Sequence, residues 1–193
     1  MSLVNVMTKV KSKRVCGIDA STNSFAFAIF DGEIPIKCGE VVFKGATPFE
    51  RLKSARKSIG ALVRAGTFDG VDFIVIESAV MVRNIRTAID LAYVYGAIMS
   101  EMSDVCKELQ KVAPISWQSG LGNPNLKKHE KEAIQREFPG KSKTWYQNKG
   151  REIRKARTLD IAREHFNIGN GSDDVGDAVG IALFATKNLT RQA

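Results

Sequence analysis

The run Val71-Asp72-Phe73-Ile74-Val75-Ile76-Glu77-Ser78 constrains this chain more than any other stretch. Four consecutive apolar residues, three of them β-branched, leave no polar face, so the segment reads as a short strand covered on both sides. Such a strand belongs to a sheet with helices on both faces, which makes the chain an α/β protein. Its last residue, Glu77, then stands at the rim of a buried sheet. Arg14-Val15-Cys16-Gly17-Ile18-Asp19 ends the same way, delivering Asp19 into the polar turn of residues 20–24. Taken alone, Asp19 is equally well explained as a carboxylate that hydrogen-bonds its own turn.

Around these two strands the remaining elements fall into place. Phe25-Ala26-Phe27-Ala28-Ile29-Phe30 predicts a second strand, Asp31-Gly32 a two-residue turn, and residues 34–43 a third strand, together an antiparallel meander. Thr47-Pro48-Phe49-Glu50 carries an N-cap, a Pro at the first helical position and a Glu that can close a capping box. A helix runs from there to Gly66, with Leu52, Ala55, Ile59, Leu62 and Val63 on its apolar side. Residues 84–111 are expected as one long helix, with Ile85, Ile89, Ala92 and Met99 on the sheet and Leu91, Tyr95 and Ile98 left over for a partner. Val112-Ala113-Pro114-Ile115 predicts a short strand towards a sheet edge. Residues 117–150 are polar, basic and interrupted by Gly and Pro, with one helix over 127–138. Helices follow over 151–166 and 173–187, the last one entered through Asn170-Gly171-Ser172.

At 193 residues, with 44% hydrophobic and 26% charged residues, the chain suits one soluble domain over residues 14–193, preceded by a flexible basic tail of residues 1–13 and carrying a basic insertion at 117–150. The net charge of +8 points to a polyanionic partner. Three widely spaced cysteines without a C-x-x-C pair argue against a disulfide framework or a zinc site. No apolar run is long enough to span a bilayer and no signal-type segment opens the chain, so a reducing, cytoplasmic setting is expected, without membrane attachment.

A third acidic site lies on the final helix. Asp174 and Asp177 are three apart and share one helix face, among small apolar neighbours that suggest a packed first turn. As a bare pair they are also explained by the helix dipole, which favours negative charge there. With the strands of Asp19 and Glu77 adjacent, all four carboxylates converge. Clustered carboxylates repel one another unless a cation binds between them, and an oxygen-only set suits Mg2+, with Mn2+ as a substitute. Two such ions can activate water and stabilise the leaving oxygen of a phosphodiester.

The succession of Gly17-Ile18-Asp19, of Ile76-Glu77 followed by Arg83-Asn84 and a long helix, and of Asp174-Val175-Gly176-Asp177-Ala178 resembles the RuvC family of Holliday junction resolvases, within the RNase H-like superfamily. The resemblance is nearer to phage-type members, which would make the setting a host cytoplasm. It implies an RNase H-like, five-stranded mixed sheet flanked by helices, in which a three-strand antiparallel meander is joined by parallel strands. It also implies a homodimeric, magnesium-dependent crossover junction endodeoxyribonuclease that nicks four-way DNA junctions in recombination and repair. Asp19, Glu77, Asp174 and Asp177 would be the catalytic carboxylates and the ligands of two metal ions. Bacterial members carry a bulky aromatic after the I-E motif, whereas this chain has Ser78-Ala79-Val80-Met81.

Between Lys127 and Arg157 stand eleven Lys or Arg against four Glu, a local charge of +7 out of the chain's +8. Phosphates are expected there, on Lys127, Lys128, Lys149, Arg151, Arg154, Lys155 and Arg157, with Arg83 after the second motif. Trp145 and Tyr146 could stack on unpaired bases or form the local core of a helix pair. Lys155 could also stabilise the transition state beside the scissile phosphate. Three other functions remain open on sequence: a nuclease for flaps, forks or other branched nucleic acid, an ATPase of the sugar-kinase or actin type, and a non-catalytic DNA-binding module. The ATPase needs two duplicated halves and a second phosphate loop, for which the chain is too short.

Overall fold

The computed structural model describes residues 13–78, 84–106, 108–167 and 172–189. Except for Lys13, the basic tail lies outside the described residues, as do Arg83, the Ala79-Val80-Met81 stretch and Asn170-Gly171. Five strands, β1 (Arg14–Ala20), β2 (Ser24–Asp31), β3 (Ile34–Val42), β4 (Phe73–Glu77) and β5 (Leu109–Val112), form one sheet in the order β3-β2-β1-β4-β5. β1 runs antiparallel to β2 and parallel to β4, β2 pairs antiparallel with β3, and β4 pairs parallel with β5. This is the expected mixed sheet, with the first and fourth strands adjacent at its centre. The turn between β2 and β3 is carried by Gly32 and Glu33, one residue later than the sequence suggests, with Gly32 at φ 57°.

Six helices cover the sheet: α1 (Pro48–Arg64), α2 (Ile85–Met102), α3 (Pro114–Gly120), α4 (Lys128–Glu137), α5 (Lys143–Arg163) and α6 (Asp173–Asn188). Strand alternation divides the core between the two faces. Cys16 and Ile18 of β1, with Ile74 and Ile76 of β4, pack with Ile59 of α1 and Val94, Tyr95, Ile98 and Met102 of α2. Val15, Phe73 and Val75 point the other way, against Trp117 of α3 and Ile181 and Ala185 of α6. Ala26, Ala28 and Phe30 of β2 continue that second core with Ala162 of α5 and Ala178, Val179 and Ala182 of α6. α1 begins as expected, with a complete Thr47–Glu50 capping box and Pro48 in its first turn.

Between residues 84 and 163 the elements differ from the expected ones. α2 ends at Met102, because Leu109–Val112 is drawn onto the open edge of β4 as a parallel strand. Pro114 is no strand residue; it opens α3, where its fixed φ and missing N–H suit the first helical turn. Gly150 does not interrupt the basic segment, since a helical glycine costs only about 1 kcal/mol. α5 therefore starts at Lys143, capped by Ser142, whose hydroxyl accepts from the Trp145 N–H, and runs 21 residues through it. The two faces of α2 are exchanged: Val94, Tyr95, Ile98 and Met102 are buried, while Ile85, Ile89, Tyr93 and Met99 are exposed. The helix is apolar on both sides, and its periodicity does not say which side meets the sheet. Among the described residues no helix is long and apolar enough to cross a membrane.

One contact sets the height of α6 above the sheet. A Cβ on Gly17 would stand 2.5 Å from the Ala178 carbonyl oxygen and run into the backbone N of Ala182. Only glycine lets this helix lie directly on β1. Gly17→Ala should therefore lower stability in chemical denaturation by about 3 kcal/mol, the upper end of an overpacking cost. An unchanged midpoint would mean that α6 can lift off β1 freely.

Candidate active site

Strand parity aims the first two carboxylates. Ile18 pairs with Ile76 across the parallel β1–β4 ladder, so Asp19 and Glu77 follow at neighbouring positions. Both lie on the face opposite Ile18 and Ile76, which is the face that carries α6. The α6 contact with Gly17 brings the first turn of that helix, with Asp174 and Asp177, to the same end of the sheet. Four acids from three distant segments thus meet over the central strands.

Their electrostatics show charge without enough compensation. Burial, followed by the charges of Asp177, Glu77 and Asp174, raises the Asp19 pKa to about 8, with Lys155 as the opposing influence. Asp177 is raised to about 7 by burial and then by Glu77, again against Lys155. Burial also raises Glu77, and its hydrogen bond from Trp117 works the other way. Asp173, just ahead of the pair, holds Lys155 at 3.0 Å. Burial disfavours the lysine's charge, but the Asp173 hydrogen bond and the surrounding carboxylates outweigh it and lift the pKa above the ordinary value.

Hydrogen-bond donors fix the carboxylates from behind. The buried Ser24 hydroxyl donates to Asp174 Oδ2 at 2.6 Å and lies 2.8 Å from the Ser21 hydroxyl, whose oxygen also accepts from the Asn23 and Ser24 N–H groups. This organises the polar turn that follows β1. Trp117 Nε1 donates to Glu77 Oε2 at 2.6 Å, and the Tyr95 hydroxyl donates to the Glu77 carbonyl oxygen at 2.5 Å. Arg154 donates to Gln118 Oε1 and feels the charge of Asp177. Asn123 ties the chain after α3 to α5 by donating to the Arg154 carbonyl at 2.8 Å and to the Thr158 hydroxyl at 3.0 Å.

The donor set fits a hard divalent cation. All four side chains offer oxygen only, and the raised Asp19 and Asp177 pKa values express a negative site that a cation would relieve. Among the described residues no three acidic, His or Cys side chains stand close enough together, as placed, to hold a metal ion. Repulsion keeps like charges apart, and Glu77 and Asp174 are each drawn towards a neutral donor.

The structure gathers Asp19, Glu77, Asp174, Asp177 and Lys155, and it adds Arg154 to them rather than to the outlying arm. Lys127 and Lys128 open α4, and Trp145, Tyr146, Lys149, Arg151 and Arg157 lie on α5. Arg151 is three and four residues before Arg154 and Lys155, so it shares their face of α5. Lys149 is about 9 Å further along the helix axis than Lys155, and Trp145 about 15 Å. Arg157 is paired with Glu130 of α4 at 2.5 Å, and Lys149 with Glu152 at 3.1 Å. Trp145 packs on Phe138 and Tyr146 with centroids 5.2 and 5.4 Å away, Lys141 lies over its ring, and the Tyr146 hydroxyl donates to the Phe138 carbonyl. The two aromatics are thus half-buried in the α4–α5 joint. Sequence reasoning missed Ser24, Tyr95, Trp117 and Gln118. The one available signal was a large aromatic, Trp117, directly after a helix-opening Pro-Ile-Ser in an otherwise polar segment.

The raised carboxyls fix the sign of a pH effect. Between the ordinary Asp value of 3.8 and the folded values near 8 and 7, the folded chain holds protons that the unfolded chain has lost. The contribution of these two groups to stability in metal-free buffer is therefore fully present below about pH 4 and is lost as pH rises through 7 and 8. Asp19→Asn should melt higher than wild type at pH 8 in chelator, with the gap closing towards pH 4. A constant gap across that range would mean that Asp19 is ionised normally.

No protein-family model matches the sequence, and no curated protein matches it. Solved structures do. Thermus thermophilus RuvC in complex with a Holliday junction substrate matches with a TM-score of 0.59 at 12% identity, over 91% of this chain and 95% of that one. Thermus thermophilus RuvC also matches in a second structure, with a TM-score of 0.58 at 13% identity, over 90% and 95%. The yeast mitochondrial Holliday junction resolvase Ydc2 matches with a TM-score of 0.50 at 11% identity, over 92% and 79%. At such identities the likeness is one of fold: the chain has the RNase H-like fold of the RuvC-type resolvases.

Proposed function

We propose that this chain is a metal-dependent endonuclease that resolves four-way DNA junctions. The observation that carries the reading is the convergence of Asp19, Glu77, Asp174 and Asp177 at one end of the sheet, half-buried and short of positive charge, beside a helix that brings Lys155 to them. A non-catalytic DNA-binding module has no use for such a cluster. Asp19, Glu77, Asp174 and Asp177 would hold two Mg2+ ions, or Mn2+ in their place, which supply an activated water and stabilise the leaving oxygen of a phosphodiester. Lys155 stands beside these carboxylates, where its ammonium can neutralise charge developing on the scissile phosphate. Arg154 is held by Gln118 on the same side. Arg151, with Lys149, Lys127 and Lys128 further out, continues this positive surface for the flanking phosphates. Such an activity would serve DNA recombination or repair.

Asp19→Asn, Glu77→Gln, Asp174→Asn and Asp177→Asn should each lower cleavage of a labelled four-way junction in Mg2+ by about 100-fold or more, with junction binding retained. The substrate panel should include flaps and forks. Preference for either over the four-way junction would move the activity to other branched DNA, and full cleavage by one variant would remove that residue from the site.

Symmetric nicking of a junction needs two sites, and a second copy of the chain would supply the other. Its seat would be the exposed stripe of α2, formed by Ile85, Ile89, Tyr93 and Met99. Gly96 lies in that helix with nothing among the described residues outside its own turns within 4 Å of a built Cβ, so its cost of about 1 kcal/mol finds no packing reason among them. Close approach of a partner helix would give one. Light scattering should find a dimer that Ile89→Glu splits without loss of helical signal; a monomeric wild type, with or without junction DNA, would overturn the dimer.

A further inference from the structure

Two consecutive side chains of the short helix α3 bond to residues of the carboxylate site. Trp117 donates its indole N–H to Glu77 Oε2 at 2.6 Å, and Gln118 accepts from the Arg154 guanidinium. Trp117 is fully buried among Val15, Phe73, Val75, Val112 and Ile181, beneath both the sheet and α6. Its seat is tight: a Cβ on Gly180 would lie 2.6 Å from Trp117 Cζ3. Gly180 is one helical turn beyond Asp177, so the indole is wedged between the strand that carries Glu77 and the helix that carries Asp174 and Asp177.

Glutamate is the longest of the four acidic side chains, with three torsions to fix. The Tyr95 hydroxyl holds its carbonyl, and the Trp117 indole holds one of its two carboxylate oxygens. We propose that Trp117 is a positioning residue of the metal site, fixing Glu77 Oε2 so that the other oxygen is presented to a divalent cation shared with Asp19 and Asp177. This rests on the metal-dependent reading given above. A buried indole N–H needs an acceptor, and a core tryptophan could have found a backbone carbonyl; here its partner is the flexible carboxylate of the cluster. Donors placed behind ligating carboxylates typically govern metal affinity by 10- to 100-fold.

The test is Mn2+ binding to the full chain, by calorimetry, in wild type, Trp117→Phe, Glu77→Ala and the double variant. Trp117→Phe keeps an aromatic ring and removes the donor. It should weaken Mn2+ binding about 10-fold and raise the Mg2+ needed for half-maximal cleavage by the same factor, with the rate restored at saturating Mg2+. In the Glu77→Ala background the same substitution should change Mn2+ affinity no further. Wild-type Mn2+ affinity in Trp117→Phe, or an equal loss in both backgrounds, would overturn the proposal. If Glu77→Ala itself leaves Mn2+ binding intact, the metal-centre reading fails with it; if Glu77→Ala weakens binding and Trp117→Phe does not, only the positioning role fails. Should Trp117→Phe not fold, the wild-type indole resonances answer, since the chain has two tryptophans. The Trp117 indole N–H signal should move saturably with Mg2+ and be displaced in Glu77→Ala, while that of Trp145 stays; a Trp117 signal indifferent to both would overturn the proposal.

Discussion

The backbone of α6 rests on the backbone of β1 at Gly17, with no side chain between them. That approach determines more than packing. A helix held away by even one methyl group would carry Asp174 and Asp177 off the strand ends, and the acids of the sheet and of the helix would no longer share a volume. The small residues of α6, with Ala178 and Ala182 fully buried, extend the same close approach along the strand. The second core, from Ala26 and Ala28 to Trp117, then fills around a helix whose height is already set.

The site sits at the boundary between that apolar core and the solvent, and its local energetics run against folding. Burial of Asp19 and Asp177 next to further carboxylates costs free energy, which proton uptake relieves only in part. The chain offsets this with donors that carry no charge. Ser24, Trp117 and Tyr95 hold the acidic residues in place and leave the net negative potential standing. Lysines in those positions would have neutralised the cluster and removed its attraction for a cation. Lys155 is kept at one remove, paired with the half-exposed Asp173 rather than with the buried carboxylates.

Much of this could be read from the residues. The unbroken Phe73–Ile76 run required a strand covered on both faces, and it and β1 each carry an acid at or next to their last residue. The Thr47 capping box and the Ser172 cap placed two helix starts. What failed to show were decisions made by tertiary partners. Leu109–Val112 has no strong strand character of its own, and the free edge of β4 turned it into a strand. Both faces of α2 are apolar, so their assignment depended on what lay opposite. The glycine inside α5 looked like a break and was carried by the helix around it. The hydrogen bonds behind the carboxylates were invisible for a simpler reason: Trp117 is 40 residues from Glu77, and Ser24 is 150 from Asp174. Neither spacing leaves a pattern.

The basic helix pair shows how a surface can be crowded with like charge and still be ready for a polyanion. Arg157 is paired with Glu130, Lys149 with Glu152, Lys128 with Glu132 and Lys155 with Asp173, so interspersed acids relieve the repulsion among the cations of residues 127–157. Pairs of this exposure contribute about 0–1 kcal/mol each, and salt screens them further. A phosphate that takes over one of these cations therefore displaces little. Two cations on the same face of α5 carry no ion pair among the described residues: Arg154, held by the neutral Gln118, and Arg151, one turn before Lys155. Along that face Arg151 comes first, then Arg154 and the Asp173-bound Lys155, so the charges closest to the acids are those held by Gln118 and by one half-exposed carboxylate.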